Sequence, residues 1–170
     1  IKIKEKNITD LNIFDRRALG ISYVSSDRAN EGLSLNSSIE DNIIAGSHRS
    51  LPISNGYILN KKIMRQTASE RLIRLSVKHG NIQENASSLS GGNQQKLVFA
   101  REISNQPSIL VISQPTRGVD LNGIKAIHNL IIDFASQGGA VLMTSEELEE
   151  LQLLSDEILI ISNGKLVGSV

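Results

Sequence analysis

The stretch that most limits what this chain can fold into is Ile109-Leu110-Val111-Ile112, a continuous apolar run of strand length. It lies between Asn105-Gln106-Pro107 and the polar turn Ser113-Gln114-Pro115-Thr116. A strand without polar alternation is buried on both faces, and such strands belong to parallel sheets covered by helices. The residues that follow keep to that plan. Asp120 is placed to cap a helix over 121–137, with Leu121, Ile124, Ile127, Ile131 and Phe134 on one side and Gly138-Gly139 at its end. Next come a strand over 140–143, an acidic helix over 146–154, a strand over 157–161, an Asn163-Gly164 hairpin turn and a strand over 165–167. Strand, helix, strand, helix, strand predicts right-handed crossovers and an α/β fold with helices on the faces of a parallel sheet.

Upstream, Ile1 and Ile3 alternate with polar residues as in a half-buried strand, and Gly20-Ile21-Ser22-Tyr23-Val24-Ser25 is a second short strand. The polar run over 26–32 breaks it. From about 36 to 105 helical spacing replaces the β-rich pattern. Ser37 or Ser38 caps a short helix carrying Ile39, Ile43 and Ile44, and 52–56 supplies turn residues. A long helix over 61–79 follows, with Met64, Ala68, Leu72 and Leu75 in one stripe and Gly80 closing it. The expected organisation is a partial α/β core from 1–35 and 106–170, with a helical subdomain over 36–105 inserted between its halves.

Composition narrows the function classes. The 170 residues are 39% hydrophobic and 21% charged, enough apolar material for a core. Eighteen basic residues balance eighteen acidic ones, so no broad field favours nucleic acid. The absence of cysteine removes disulfides, thiolate zinc sites and thiol nucleophiles together. His48, His79 and His128 share no ligand spacing, so no metal site is expected. Lys61, Lys62, Arg65, Arg71, Arg74 and Lys78 against Glu70 make one helix locally basic, either as a solvated face or as a docking face. Glu146, Glu147, Glu149 and Glu150 stand in the first turns of their helix, where the dipole favours carboxylates, and are given no catalytic part. No apolar run approaches the roughly 20 residues that span a bilayer. The start, without an initiator Met and inside an alternating pattern, leads to the expectation of a fragment.

Leu89-Ser90-Gly91-Gly92-Asn93-Gln94-Gln95-Lys96 opens another helix. Two adjacent glycines leave backbone N–H groups uncovered at a helix N-terminus, a setting that suits an anion such as phosphate, although a plain capped helix start reads the same way. Together with Ser113-Gln114-Pro115-Thr116-Arg117-Gly118-Val119-Asp120 downstream, this segment resembles the ATP-binding subunits of ABC transporters. Their LSGGQ signature precedes a Walker B strand ending in Asp-Glu-Pro-Thr. The wording is similar to the second ATP-binding domain of tandem-domain subunits serving bacterial importers of simple sugars and nucleosides. Tyr23-Val24-Ser25-Ser26-Asp27-Arg28 is similar to that family's Q-loop segment, and Thr144-Ser145-Glu146 to its H-loop region.

The resemblance implies a partial RecA-like sheet, ATP and Mg²⁺ as cofactors of the intact parent, and a peripheral place on the cytoplasmic face of the membrane. It implies two partners, the other ATP-binding domain of the same subunit and the membrane-spanning permease; since 26–32 links the sheet to the helical insert as a movable joint, the insert is expected to dock on the permease through Ile39, Ile43 and neighbouring polar residues. Ser90, Gly91, Gly92, Gln94 and Asp120 would act in trans on nucleotide held by the other domain. Departures are equally definite. No G-x-x-x-x-G-K-[ST] occurs. The Walker B Asp position is Ser113, the position of the carboxylate that polarises water is Gln114, the Q-loop position is Ser26 and the H-loop position is Ser145. No cis catalytic residue, bound cofactor or hydrolysis is therefore expected of this chain alone. Two other functions remain: a degenerate docking domain without ATP turnover, or an unrelated small doubly wound ligand-binding domain.

Overall fold

The computed structural model describes residues 1–3, 5–48, 51–55 and 57–170. A short antiparallel pair, β1 (Lys2–Ile3) and β2 (Lys6–Asn7), leads into helix α1 (Ile13–Ala18) and strand β3 (Ile21–Val24). A π-helical turn (Arg28–Gly32) then gives way to α2 (Ile39–Ile44), α3 (Lys61–Arg74), a 3₁₀ turn (Ala86–Ser88) and α4 (Gly91–Ile103). The chain returns to alternation with β4 (Ile109–Ser113), α5 (Leu121–Ser136), β5 (Ala140–Thr144) and α6 (Leu148–Leu154), and ends in the hairpin β6 (Leu159–Ser162) and β7 (Lys165–Ser169). The turn residue Gly56 lies outside the described residues.

The predicted parallel sheet is present with order β3-β4-β5 and the apolar run at its centre. Its pairing aligns Val24 with Ile112 and Ser113 with Thr144, which brings the carboxyl ends of β4 and β5 level. Val24, Leu110 and Ile112 pack under α4 and α5, where Leu97, Val98, Phe99, Ala100, Ile127, Ile131 and Phe134 complete the core. Helix α4 contacts α2, α3, α5 and β3, so it joins the helical part to the sheet.

Five differences between sequence and structure bear on the core and the site. Burial of β4 on both faces is not observed: Ile109 and Val111 are half-buried, and Tyr23 and Leu142, in register beside Val111, are exposed. The stretch 157–161 does not extend the parallel sheet, because the tight Asn163-Gly164 turn folds β6 back onto β7. The stripe on α5 starts at Gly123 rather than Leu121, which is 79% exposed in the first turn. The helix over 61–79 stops at Arg74. Ser76 (φ 51) takes the left-handed position there, with Ser76 N donating to Ile73 O (3.0 Å) and Val77 N to Leu72 O (3.0 Å). That is a Schellman closure, and burial of Val77 against the core fixes it six residues before any help from glycine is needed. Finally, Ile39 and Ile43 are 0% exposed, because α2 turns its apolar side into the core, and they offer no docking contact.

Candidate functional site: the edge formed by α4, α5 and the β4–β5 ends

Ser90 caps α4, but its hydroxyl is 3.4 Å from Asn93 N and closer to Asn93 Nδ2 (2.9 Å). The amides of Gly91 and Gly92, at the first two positions of the helix, find no acceptor among the described residues. Orphan donors of this kind point outward with the positive end of the helix dipole behind them. Gln94 is turned the other way: its Nε2 donates to Leu89 O (3.1 Å) and Ala86 O (3.4 Å), bracing the loop that enters the helix.

The first turn of α5 packs beside that of α4. A Cβ on Gly92 would lie 3.8 Å from Gly123 Cα, so the two helix starts meet through glycines that allow the approach. Asp120 caps α5 by accepting from Gly123 N (2.7 Å). The loop from β4 to Asp120 starts at Gln114, whose φ of 50 is unusual for a side chain with a Cβ. This conformation aims Gln114 N at Thr144 O (2.8 Å) and lets Gln114 Oε1 accept from Glu146 N (3.1 Å). Beside it, Thr144 Oγ1 donates to Ser113 Oγ (3.2 Å). The predicted Walker B and H-loop positions are thus brought together, and every contact between them is neutral.

Ser145 carries a feature that the sequence did not announce. Its Oγ donates to Glu150 Oε2 (2.6 Å), and His128 Nε2 lies 2.8 Å from Glu150 Oε1. Glu150 is 5% exposed, so the carboxylate faces inward from α6 and ties α5 to the β5 end. Ser26 follows β3 at the base of the turn, and among the described residues it is not in hydrogen-bond contact with the β4–β5 cluster.

Arg28 was missed as well. From the π-helical turn its Nη1 donates to Arg117 O (2.7 Å) and its Nη2 to Gly118 O (3.2 Å), and Nη2 stands 2.8 Å from where a Cβ on Gly91 would be. Asp27 caps this turn by accepting from Asn30 N (3.0 Å) and Asn30 Nδ2 (2.8 Å), and those bonds hold its carboxyl below the ordinary range.

The donor chemistry separates the two ligands that the resemblance implies, ATP and Mg²⁺. Open amides at α4 suit phosphate oxygens, whereas the hydroxyls and amide at Ser113, Thr144 and Gln114 offer Mg²⁺ no carboxylate. No cluster of three or more His, Asp or Glu suited to a metal is present among the described residues. A separate surface depression, lined by Leu51, Pro52, Ile58, Leu59 and Lys61 among others, holds none of the predicted site residues.

The parallel sheet with its helical insert and Ser-Gly-Gly helix start shares the fold of solved ATP-binding cassettes. A nucleotide-free ATP-binding cassette from an ABC transporter superposes with a TM-score of 0.80 at 21% identity, covering 98% of this chain and 67% of that one. A cassette in a dimeric post-hydrolysis state bound to ADP and Pi gives 0.76 at 20% identity, covering 99% and 71%. The ABC transporter family model matches residues 1–117, and the chain belongs to that family. This sets aside the unrelated doubly wound domain.

Among curated relatives, the nucleoside import ATP-binding protein NupA of Lactococcus lactis subsp. cremoris is 36% identical over all 170 residues. The guanosine import ATP-binding protein NupO of Bacillus subtilis is also 36% identical over 170 residues. A ribose import ATP-binding protein RbsA of Bacillus cereus is 37% identical over 148 residues, 87% of this chain. The chain spans about a third of the length of these relatives: 34%, 33% and 30% respectively.

Proposed function

We propose that this chain is the C-terminal part of the ATP-binding subunit of a sugar or nucleoside importer, and that it supplies the signature face to ATP held by the partner domain. The observation that carries the reading is the pair of unpartnered amides of Gly91 and Gly92 at the open start of α4, with Ser90 beside them. Donors fixed before charge develops on a transferring phosphoryl group act without reorganisation, which is where such groups contribute most. Asp120 supports the same face by capping α5, whose first turn meets that of α4 at Gly92 and Gly123, and Gln94 does so by bracing the loop rather than by reaching outward.

Ser113, Gln114 and Ser145 supply neither a general base nor a hard-cation ligand, so turnover in cis is not part of the proposal. ATP and Mg²⁺ belong to the intact parent, with Mg²⁺ neutralising phosphate charge there. The helical part over 36–105 is assigned to the permease side of the cytoplasmic membrane face, and the relatives' import function supports that assignment. The contact itself must use exposed residues, since α2 buries Ile39 and Ile43. Steady-state ATPase of the full-length subunit tests the reading. Ser90→Arg is expected to lower kcat by about 10²–10³, the effect of losing one aligned donor, with nucleotide affinity at the partner's site nearly unchanged. An unchanged rate contradicts a trans role.

A further inference from the structure

The Arg28–Gly32 turn lies along α4 and is held at both ends. At its far end Arg101 Nη1 donates to Gly32 O (2.7 Å), and Gly32 sits so close to α4 that a Cβ there would stand 3.3 Å from Val98 Cγ2. At its near end the Arg28 guanidinium takes two successive carbonyls, Arg117 O and Gly118 O, and lies against Gly91. Ser25 Oγ is bonded to Glu31 within the same segment. What the sequence offers as a movable joint is in this structure a splint.

We propose that Arg28 is a positioning residue that locks the start of α4 and the Arg117-Gly118 loop into one surface, so that the Gly91 and Gly92 amides keep a single orientation. The proposal rests on the reading that those amides serve a nucleotide of the partner domain. Two features support it. A planar fork can satisfy two neighbouring carbonyls at once, which a single ammonium cannot do. A cation beside a helix N-terminus is electrostatically unfavourable by itself and becomes favourable once an anion occupies that end. An alanine Cβ at residue 91 would lie 2.8 Å from Nη2, so the Arg28 fork would have to shift from its carbonyls to admit it.

The test is a double-mutant cycle on the full-length subunit assembled with its permease, reading kcat and KM for ATP separately. Arg28→Gln is expected to lower kcat between about ten- and a hundredfold, as small misplacements of positioned groups do, with KM within about twofold. Arg28→Lys is expected to recover little, because it keeps the charge without the fork. Gly91→Ala should lower kcat by itself yet add little in the Arg28→Gln background, since both changes break one contact. Amide exchange at Gly91 and Gly92 should quicken in Arg28→Gln, which reads the lock even where activity is lost through poor assembly. Unchanged kcat with unchanged exchange, full rescue by Lys, or losses that multiply would overturn the proposal. Ser90→Arg in the same assembly separates the two failures. If it leaves the rate intact the trans reading falls, and if it alone is inactive only the role of Arg28 falls.

Discussion

Glu102 is the most demanding residue of the scaffold. Its side chain is 0% exposed on α4, and it accepts from Arg17 Nη1 (2.9 Å), Arg17 Nη2 (3.2 Å) and Arg101 Nε (2.9 Å). Removing one partner of a buried ion pair costs about 3–5 kcal/mol, because the remaining charge is stranded. Here the stranding is unequal. The Arg17 side chain is 37% exposed and can return to water, whereas that of Arg101 is 13% exposed. Glu102→Gln keeps the shape and one acceptor oxygen, so its loss is expected at the lower end, about 3 kcal/mol. Arg17→Met, which removes a screened partner and leaves Glu102 still paired, should cost at most about 1 kcal/mol. Urea unfolding followed by circular dichroism reads both values, provided the slope with denaturant stays constant. A Glu102→Gln loss below that of Arg17→Met would refute the reasoning, since it would mean the buried carboxylate holds nothing that water could not replace.

Two further outcomes follow from single contacts. The Asp27 carboxyl is held below the ordinary carboxylate range mainly by the Asn30 side chain and then by the Asn30 amide. A depressed carboxylate contributes stability above its unfolded pKa and loses it as the pH falls through the lower folded value, so wild type should lose stability in the window below pH 3.8. Asp27→Asn should remove that share of the acid dependence; an unaltered acid-unfolding curve would count against the cap. At Gly123 an alanine Cβ would lie 2.3 Å from Val119 Cγ1, a β-branched side chain with few alternative rotamers. Overpacking of about 1–3 kcal/mol should lower Tm by roughly 2–12 °C. A melting temperature within 1 °C of wild type, on the order of the measurement error, would show that the two helix starts yield freely.

The fold was legible wherever a local signal and the global arrangement agreed. Ile109 to Ile112 read as a parallel-sheet strand because nothing polar interrupts them; Asp120 read as a cap and is one, and of Ser37 and Ser38, both open to that role in the sequence, Ser38 takes it. Sequence reasoning erred where two local signals competed. Gly80 looked like the end of α3, but Val77 could be buried only if the helix closed at Ser76. The Asn163-Gly164 hairpin was legible and is present, but 157–161 does not add the expected further strand to the β3-β4-β5 sheet, because β6 pairs with β7 alone. The site was legible as positions and not as contacts. Ser113, Gln114 and Ser145 were placed by resemblance; in the structure Ser113 and Gln114 contact Thr144 and Glu146, the neighbours of Ser145, whereas Ser145 itself bonds Glu150. Arg28 reaches across 89 and 90 residues to Arg117 and Gly118, and the Arg17–Glu102 pair spans 85, distances at which no local pattern gives warning.

The central claim is that the Ser90-Gly91-Gly92 face serves the partner's ATP while the neutral groups around Ser113 and Gln114 leave this domain's own site slow. Trapping the full-length assembly with vanadate and radiolabelled nucleotide, then assigning the label to each domain after proteolysis, reads this directly. The account predicts label at the partner's site, its loss on Ser90→Arg, and little label in this domain. Equal trapping in the two domains, or trapping that Ser90→Arg leaves intact, would contradict it.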